Sequence, residues 1–322
     1  MTLLRCVFFG TPAFAVPAFE RLADTAVVPL VVTAPDRPVG RHGQPVPSPV
    51  ALAARERNIA IERPERLRDN LAFLERLRAA APDVGVVVAY GKILPDEILA
   101  VPRLGCVNVH ASLLPRHRGA SPIQAAILAG DPETGVSTMR LVSELDAGPV
   151  FLERRLPIGP RENAVSLSAR LSSAGADLLA ETLAGLESGT LSSRSQEGTP
   201  TYCRTIRRED GQVDWSLPAP ELERRLRAFT PWPGLFTFLA GERIKLLEAR
   251  VRVRVRVPLE VGLDSLSTPP GTFHASDSGL VVAAGKGTSL LVLRLQREGK
   301  KPVSAGEFLA NAAAGRFESL AA

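Results

Sequence analysis

The chain has 322 residues, 45% hydrophobic, 23% charged and 5% aromatic, with a formal net charge of +5. That length and apolar content fit about two domains with real cores and exclude disorder as the dominant state. No apolar run approaches the ~20 residues of a membrane-spanning helix, and the start MTLLRCVFFG enters a strand-like run without the pattern of a targeting leader. A cytoplasmic protein is the expectation. Cys6, Cys106 and Cys203 are far apart and form no CxxC pair, so they read as small buried hydrophobes rather than disulfide or zinc ligands.

In chain order, Leu4–Phe9, Val27–Thr33, Val84–Ala89 and Cys106–His110 are β-branched apolar runs. The helix-period segments Ala13–Ala23, Pro49–Asn58 and Asn70–Ala80 lie between them. This alternation predicts right-handed βαβ units building a parallel sheet. Gly135–Val142 continues as strand and Ala164–Glu187 as a long helix. Residues 1–188 form the predicted α/β domain; 189–205, rich in Ser, Thr, Gly and Pro, form the predicted linker. The predicted second domain spans 206–322, where Leu217–Phe229 reads as a helix opened by Ser216 and Pro218 and ended by Pro231 and Pro233. Phe236–Leu239, Arg243–Val257, Gly271–His274, Gly279–Ala283 and Ser289–Leu295 then read as short strands of a small β-barrel of OB-like type. Trp215 and Trp232 are expected in the core.

Residues 1–205 carry 22 cations against 21 anions, and 206–322 carry 17 against 13. The positive surplus therefore sits in the second part. Arg250, Arg252, Arg254 and Arg256 alternate with valines, giving one cationic strand face. Such a face fits either a guarded sheet edge or an anionic partner.

Chemistry concentrates in Gly105–Asp146. Period 2 in CVNVH puts Asn108 and His110 on one face near the carboxyl end of a strand, where open α/β sheets bind ligands. An amide that holds an oxyanion beside an imidazole that moves a proton is an acyl-transfer pair. The spacing alone also fits a satisfied, half-buried pair. The loop SLLPRHRGASPI follows at once and is too long for a simple βα turn. GTPAF after the first strand has neither G-x-G-x-x-G nor G-K-[ST], which argues against dinucleotide and ATP binding.

N-x-H, S-L-L-P-x-x-R-G-x-x-P-I and the downstream L-D-A-G together closely resemble the folate-dependent formyltransferases. The resemblance implies a Rossmann-like catalytic domain with Asn108, His110 and Asp146 as the catalytic constellation. It implies a 10-formyltetrahydrofolate co-substrate held by Ser112, Leu113, Leu114 and Pro115 and by Tyr90, Gly91, Ile93 and Leu94. Beyond the shared core, FFGTPAFAVPAFERL, APDRPVGR, VPSPV, VVVAYGKILP, RAFTPWPG and LQREGKKPVSAGEFL are similar to the two-domain members that formylate methionine on charged initiator tRNA. For those members the implied contacts with tRNA fall on Arg37, Arg41, Arg204, Arg207, Arg250, Arg252 and Arg254. The implied enzyme is a monomer that uses no metal, ATP or nicotinamide. Two departures touch tRNA recognition. The first loop lacks the family's lysine cluster, leaving Arg37 and Arg41 as the permanent cations of Ala34–Pro49, and Thr205 stands where the family usually has a lysine. A 10-formyltetrahydrofolate hydrolase, a sugar-nucleotide formyltransferase and a catalytically silent folate- or RNA-binding protein on this scaffold are the alternatives.

Overall fold

A computed structural model describes residues 3–38, 43–252, 268–310 and 314–319. Two compact units emerge, one of Met1–Ala126, Pro132–Ile158 and Ser166–Arg204, the other of Ile127–Asp131, Gly159–Val165 and Thr205–Ala322. Among the described residues no helix is long and apolar enough to cross a membrane.

The first unit is built on seven strands: β1 (Arg5–Gly10), β2 (Val27–Val32), β3 (Ala60–Glu62), β4 (Val84–Val88), β5 (Cys106–His110), β6 (Glu133–Arg140) and β7 (Val150–Pro157). Their order is β7-β6-β5-β4-β1-β2-β3. The five strands from β5 to β3 are parallel, and β6 and β7 add antiparallel to that edge. The chain winds outward from β1 to β3 and then returns to the other side of β1 with β4. Between β1 and β4 the winding reverses, which opens a crevice at the strands' carboxyl ends.

Alternation along the strands separates two cores. Phe8, Val31, Val84, Val86, Val88, Val107 and Val109 face one side against Phe19, Leu22 and Leu179, while Val7, Phe9, Leu30, Val32 and Val87 face the other against Phe73 and Leu77. Both faces being covered explains why β4 is apolar at every position. Ser48 and Asn70 start the helices Pro49–Glu56 and Leu71–Ala79 by accepting from the N–H groups of Ala51 and Phe73. Cys6 and Cys106 are buried, and burial pushes both thiols up to about 12, as packing residues rather than nucleophiles.

The second unit carries helix Ala219–Phe229 and an antiparallel sheet of β8 (Leu235–Leu239), β9 (Glu242–Val251), β10 (Thr272–Ser276), β11 (Gly279–Ala284), β12 (Thr288–Arg297) and β13 (Ala314–Arg316). The order β8-β9-β12-β11-β10-β13 curls until the first strand meets the segment after the last at a bridge between Phe238 and Glu318. The result is a half-barrel joined at one bridge. Trp215 is fully buried, stacks on Phe317 at 5.8 Å and donates from Nε1 to Thr237 Oγ1 at 3.1 Å. Trp232 corrects the expectation of two core tryptophans, since it is 57% exposed among the prolines that end the helix.

Candidate active site

Asn108 and His110 come from the carboxyl end of β5 and are 8% and 6% exposed. Val107 and Val109, which alternate with them, enter the apolar core, so the polar pair shares the opposite face. Antiparallel pairing sets Asn108 against Met139 and His110 against Ser137 of β6. Ser137 stitches down the loop beyond β5: its hydroxyl donates to the Ser112 carbonyl at 2.7 Å and lies 3.2 Å from the Leu114 N–H. Ser112 Oγ in turn donates to the Arg116 carbonyl at 2.5 Å. The loop thereby folds back over the strand, and His110 Nε2 lies 3.0 Å from the His117 carbonyl oxygen. A carbonyl only accepts, so this contact assigns the hydrogen of the neutral ring to Nε2 and leaves the lone pair on Nδ1.

Asp146 faces that lone pair. Its Oδ2 is 3.7 Å from His110 Nδ1 and accepts from the Gly119 N–H at 2.7 Å, with the two side chains only 7% and 11% exposed. Nδ1 of the neutral ring has no hydrogen to give, so at 3.7 Å the carboxylate is an electrostatic partner for the ring once Nδ1 takes up a proton. Asp146 holds φ +48 in the turn after β6. Two glycines make the geometry possible. A Cβ on Gly148 would lie 1.8 Å from the Arg140 carbonyl oxygen, and one on Gly119, at φ +113, would lie 2.2 Å from that of Cys203.

The segment predicted as a linker supplies part of this architecture. Tyr202–Cys203 pairs in parallel with Arg118–Gly119, and the Thr201 hydroxyl and carbonyl accept from the His117 and Arg118 N–H groups, each at 2.8 Å. Gln196 Nε2 donates to the Asp146 and Gly148 carbonyls, both at 2.8 Å, and Gln196 Oε1 accepts from Arg118. None of Gln196, Thr201 or Cys203 was expected at the site. Their only sequence signal is a run of Ser, Thr and Gly that looks like any loop.

Tyr90 and Leu94, predicted to bind folate, are buried at 3% and 6% exposure, whereas Ile93 is 79% exposed. The Tyr90 carbonyl accepts from Thr11 Oγ1 at 3.2 Å, tying the ends of β4 and β1 together. Burial raises the Tyr90 phenol to about 12, and its Oη has no hydrogen-bond partner among the described residues. Gly91 stands at φ +82 with open space where a Cβ would be. Ser112, Leu114 and Pro115 are buried and Leu113 is half-buried. Opposite this segment, the loop after β6 leaves Val142 and Leu145 exposed while Ser143 Oγ bonds Asp96 Oδ1 at 2.5 Å. Leu141 packs on both Tyr90 and Leu114 clusters. The two loops are thus in contact and each carries exposed apolar side chains, the second of which sequence reading missed.

The residues predicted to contact tRNA are dispersed. The Arg37 backbone pairs with Val46, and Arg41 and Arg254 lie outside the described residues. Arg204 is exposed in the first unit; Arg207, Arg250 and Arg252 are exposed in the second. The cationic face of β9 is less uniform than its Arg–Val alternation implied, because Glu248 sits on it 3.4 Å from Arg250.

Residues 4–183 match the family model described as formyl transferase, and 205–313 match formyl transferase, C-terminal domain. The chain belongs to the formyl transferase family. Its relatives include methionyl-tRNA formyltransferases from Methylococcus capsulatus, 45% identical over 97% of this chain and 99% of that one, and from Thermus thermophilus, 44% identical over 95% of each. A third, from Geobacter sulfurreducens, is 42% identical over 96% and 94%. At this identity and coverage the chain falls within the methionyl-tRNA formyltransferase branch. In fold it is similar to an N-formyltransferase from Helicobacter canadensis in complex with folinic acid and dTDP-3-aminofucose (TM-score 0.65, 15% identity, 90% of this chain and 99% of that one). It is also similar to HypX from Aquifex aeolicus in complex with tetrahydrofolic acid (TM-score 0.60, 15% identity, 96% and 47%).

Proposed function

We propose that this protein transfers the formyl group of 10-formyltetrahydrofolate to the α-amine of methionine on initiator tRNA, as a monomer in the cytoplasm. The observation that carries the reading is near-full-length similarity, at 42–45% identity, to proteins of that activity. The intact Asn108, His110 and Asp146 cluster supports it chemically. Ile93, Val142 and Leu145 are exposed on the two loops that Leu141 joins, and they offer apolar contact for the flat rings of the folate.

In the mechanism, the neutral α-amine attacks the formyl carbon. Its reference pKa of ~8 leaves a useful neutral fraction near physiological pH. Asn108 donates to the oxygen as it becomes the tetrahedral oxyanion, a contribution of ~3–4 kcal/mol. His110 Nδ1 takes the amine proton, and the imidazolium then donates from Nε2 to His117 and faces the Asp146 charge from Nδ1. Collapse breaks the bond from carbon to N10, and the same proton returns to N10. Product is the formamide of the methionyl ester, with tetrahydrofolate released.

Formyl-labelled 10-formyltetrahydrofolate incubated with methionyl initiator tRNA, uncharged tRNA or no tRNA tests the reading. Label is expected on the charged tRNA alone. Label released as formate without tRNA would identify a hydrolase, and binding without turnover would identify a silent scaffold. Asn108→Ala is expected to lower kcat by roughly 10²–10³ with little change in either KM.

A further inference from the structure

We infer that Gln196 is a positioning residue for the Asp146–His110 pair, acting through the backbone of the turn that carries Asp146. The inference rests on the formyl-transfer reading for its catalytic consequence but not for its structural one. Asp146 is a non-glycine residue at φ +48, a conformation that persists only when its surroundings hold it. Besides the Gly119 N–H on its carboxylate, one side chain holds the backbone of the turn. Both hydrogens of the Gln196 carboxamide are used, one on the Asp146 carbonyl and one on the Gly148 carbonyl, each at 2.8 Å. The two bonds span the turn like a staple and set the direction in which the Asp146 carboxylate leaves the backbone.

The orientation of that carboxamide is itself fixed. Arg118 Nε and Nη2 both donate to Gln196 Oε1, at 3.1 and 2.7 Å, so a flipped amide would set donors against donors and oxygen against carbonyls. Arg118 is 8% exposed and lies against Tyr202, with Nη1 3.4 Å from the phenol oxygen. Gln196 is anchored from its own side as well, because the Arg194 backbone makes a reciprocal pair with Val150 at 2.8 Å in both directions. The segment therefore ties the loop after β5, through Arg118, to the turn after β6, through Gln196. Asp146 Oδ2 meets the Gly119 N–H and the His110 ring where those two loops converge. A packing residue would contribute to stability alone. A residue that sets the aim of a carboxylate contributes to the chemical step without touching substrate.

Gln196→Ala and Gln196→Glu test this, with Arg21→Ala as control, since the exposed Arg21 side chain pairs with Asp177 at 2.6 Å, away from this network. Gln196→Glu keeps the length and the partnership with Arg118 while replacing two donors by an oxygen facing two carbonyls. Should Gln196→Ala not fold, Gln196→Asn, one methylene shorter, takes its place. Both Gln196 variants are expected to lose 10–100-fold in kcat while KM for 10-formyltetrahydrofolate and for methionyl-tRNA stays within threefold. Amide hydrogen exchange gives a readout independent of activity. The Gly119 N–H, which donates to Asp146, should exchange at least tenfold faster in both variants, and the Gly85 N–H in β4 should not change. Arg21→Ala should match wild type throughout. Wild-type kcat in Gln196→Glu, or unaltered Gly119 exchange, overturns the inference. If the wild-type protein transfers no formyl group, the functional reading fails by itself, and Gly119 exchange still decides whether Gln196 holds the turn.

Discussion

Gly119→Ala places the sharpest demand on this site. The new Cβ would stand 2.2 Å from the Cys203 carbonyl oxygen, 3.3 Å from its carbon and 3.5 Å from its nitrogen, so it meets backbone rather than the end of a flexible side chain. Relief needs a displacement of ~1 Å. That movement breaks the Ala120 N–H bond to Cys203 at 3.1 Å and pulls the Gly119 N–H from Asp146. A neutral hydrogen bond contributes ~1 kcal/mol and one to a carboxylate ~1.5–3. An alanine forced to φ +113 adds ~1–3. The total, about 3.5–7 kcal/mol, is an upper value, because the short pairing with Tyr202–Cys203 can open locally at lower cost. The expected outcome is a loss of about 3 kcal/mol in the first unit and a fall in kcat of ~10²-fold. Both tryptophans belong to the second unit, so unfolding of the first is followed by far-ultraviolet circular dichroism in urea rather than by fluorescence. Gly189→Ala is the matched control: its φ is +69 but nothing lies within 4 Å, so ~1 kcal/mol and unchanged kcat are expected. Gly119→Ala with stability within ~1 kcal/mol of wild type and kcat within threefold would refute the account of how residues 201–203 hold the site.

Trp215→Ala removes a fully buried side chain, its stacking on Phe317 and its bond to Thr237, and should cost the second unit ~3–5 kcal/mol in a fluorescence-monitored urea titration; a cost under ~1.5 would mean that the half-barrel does not depend on that core. Asp83 is held below its ordinary 3.8 chiefly by the Arg5 N–H, with Arg103 adding to the effect against an opposing desolvation. A depressed carboxylate stabilises the fold above 3.8 and ceases to do so as pH falls through its folded value, so Asp83→Asn should destabilise at pH 7 and the difference should shrink below about pH 4; a difference independent of pH would contradict the assignment. Arg250→Gln with Arg252→Gln should flatten the dependence of log K for tRNA on log salt by about one unit rather than two, since Arg250 already faces Glu248. Identical salt slopes would remove β9 from the tRNA-contacting surface.

Residues that act through local periodicity were visible in the sequence. Asn108 and His110 stand two apart between valines, and that alternation gives their shared face directly. The βαβ alternation likewise marked β1, β2, β4 and β5. Elements whose pattern is set by distant partners were not visible. β7, VFLERRLP, is an edge strand with a charged, partly exposed face, and no alternation distinguishes it from loop. Helix Pro122–Ala129, PIQAAILA, is apolar almost all round and so has no amphipathic stripe to reveal it. Gln196 is the extreme case. Its partners are carbonyls about 50 residues away, and a carbonyl has no residue identity for a sequence to display.

The tie between Gln196–Cys203 and the loops after β5 and β6 also sets an order of events during synthesis. All seven strands of the first sheet have been made once Pro157 is added, whereas the residues that pin Asp146 and Gly119 arrive only with Gln196 to Cys203. At ~5–20 residues per second the stretch from Pro157 to Cys203 takes roughly 2–9 s to polymerise. During that interval a nascent chain can possess its sheet, its Asn108 and its His110 and yet have an unaligned carboxylate. On the proposed role of Asp146, competence for chemistry is acquired late, as a separate event from formation of the sheet.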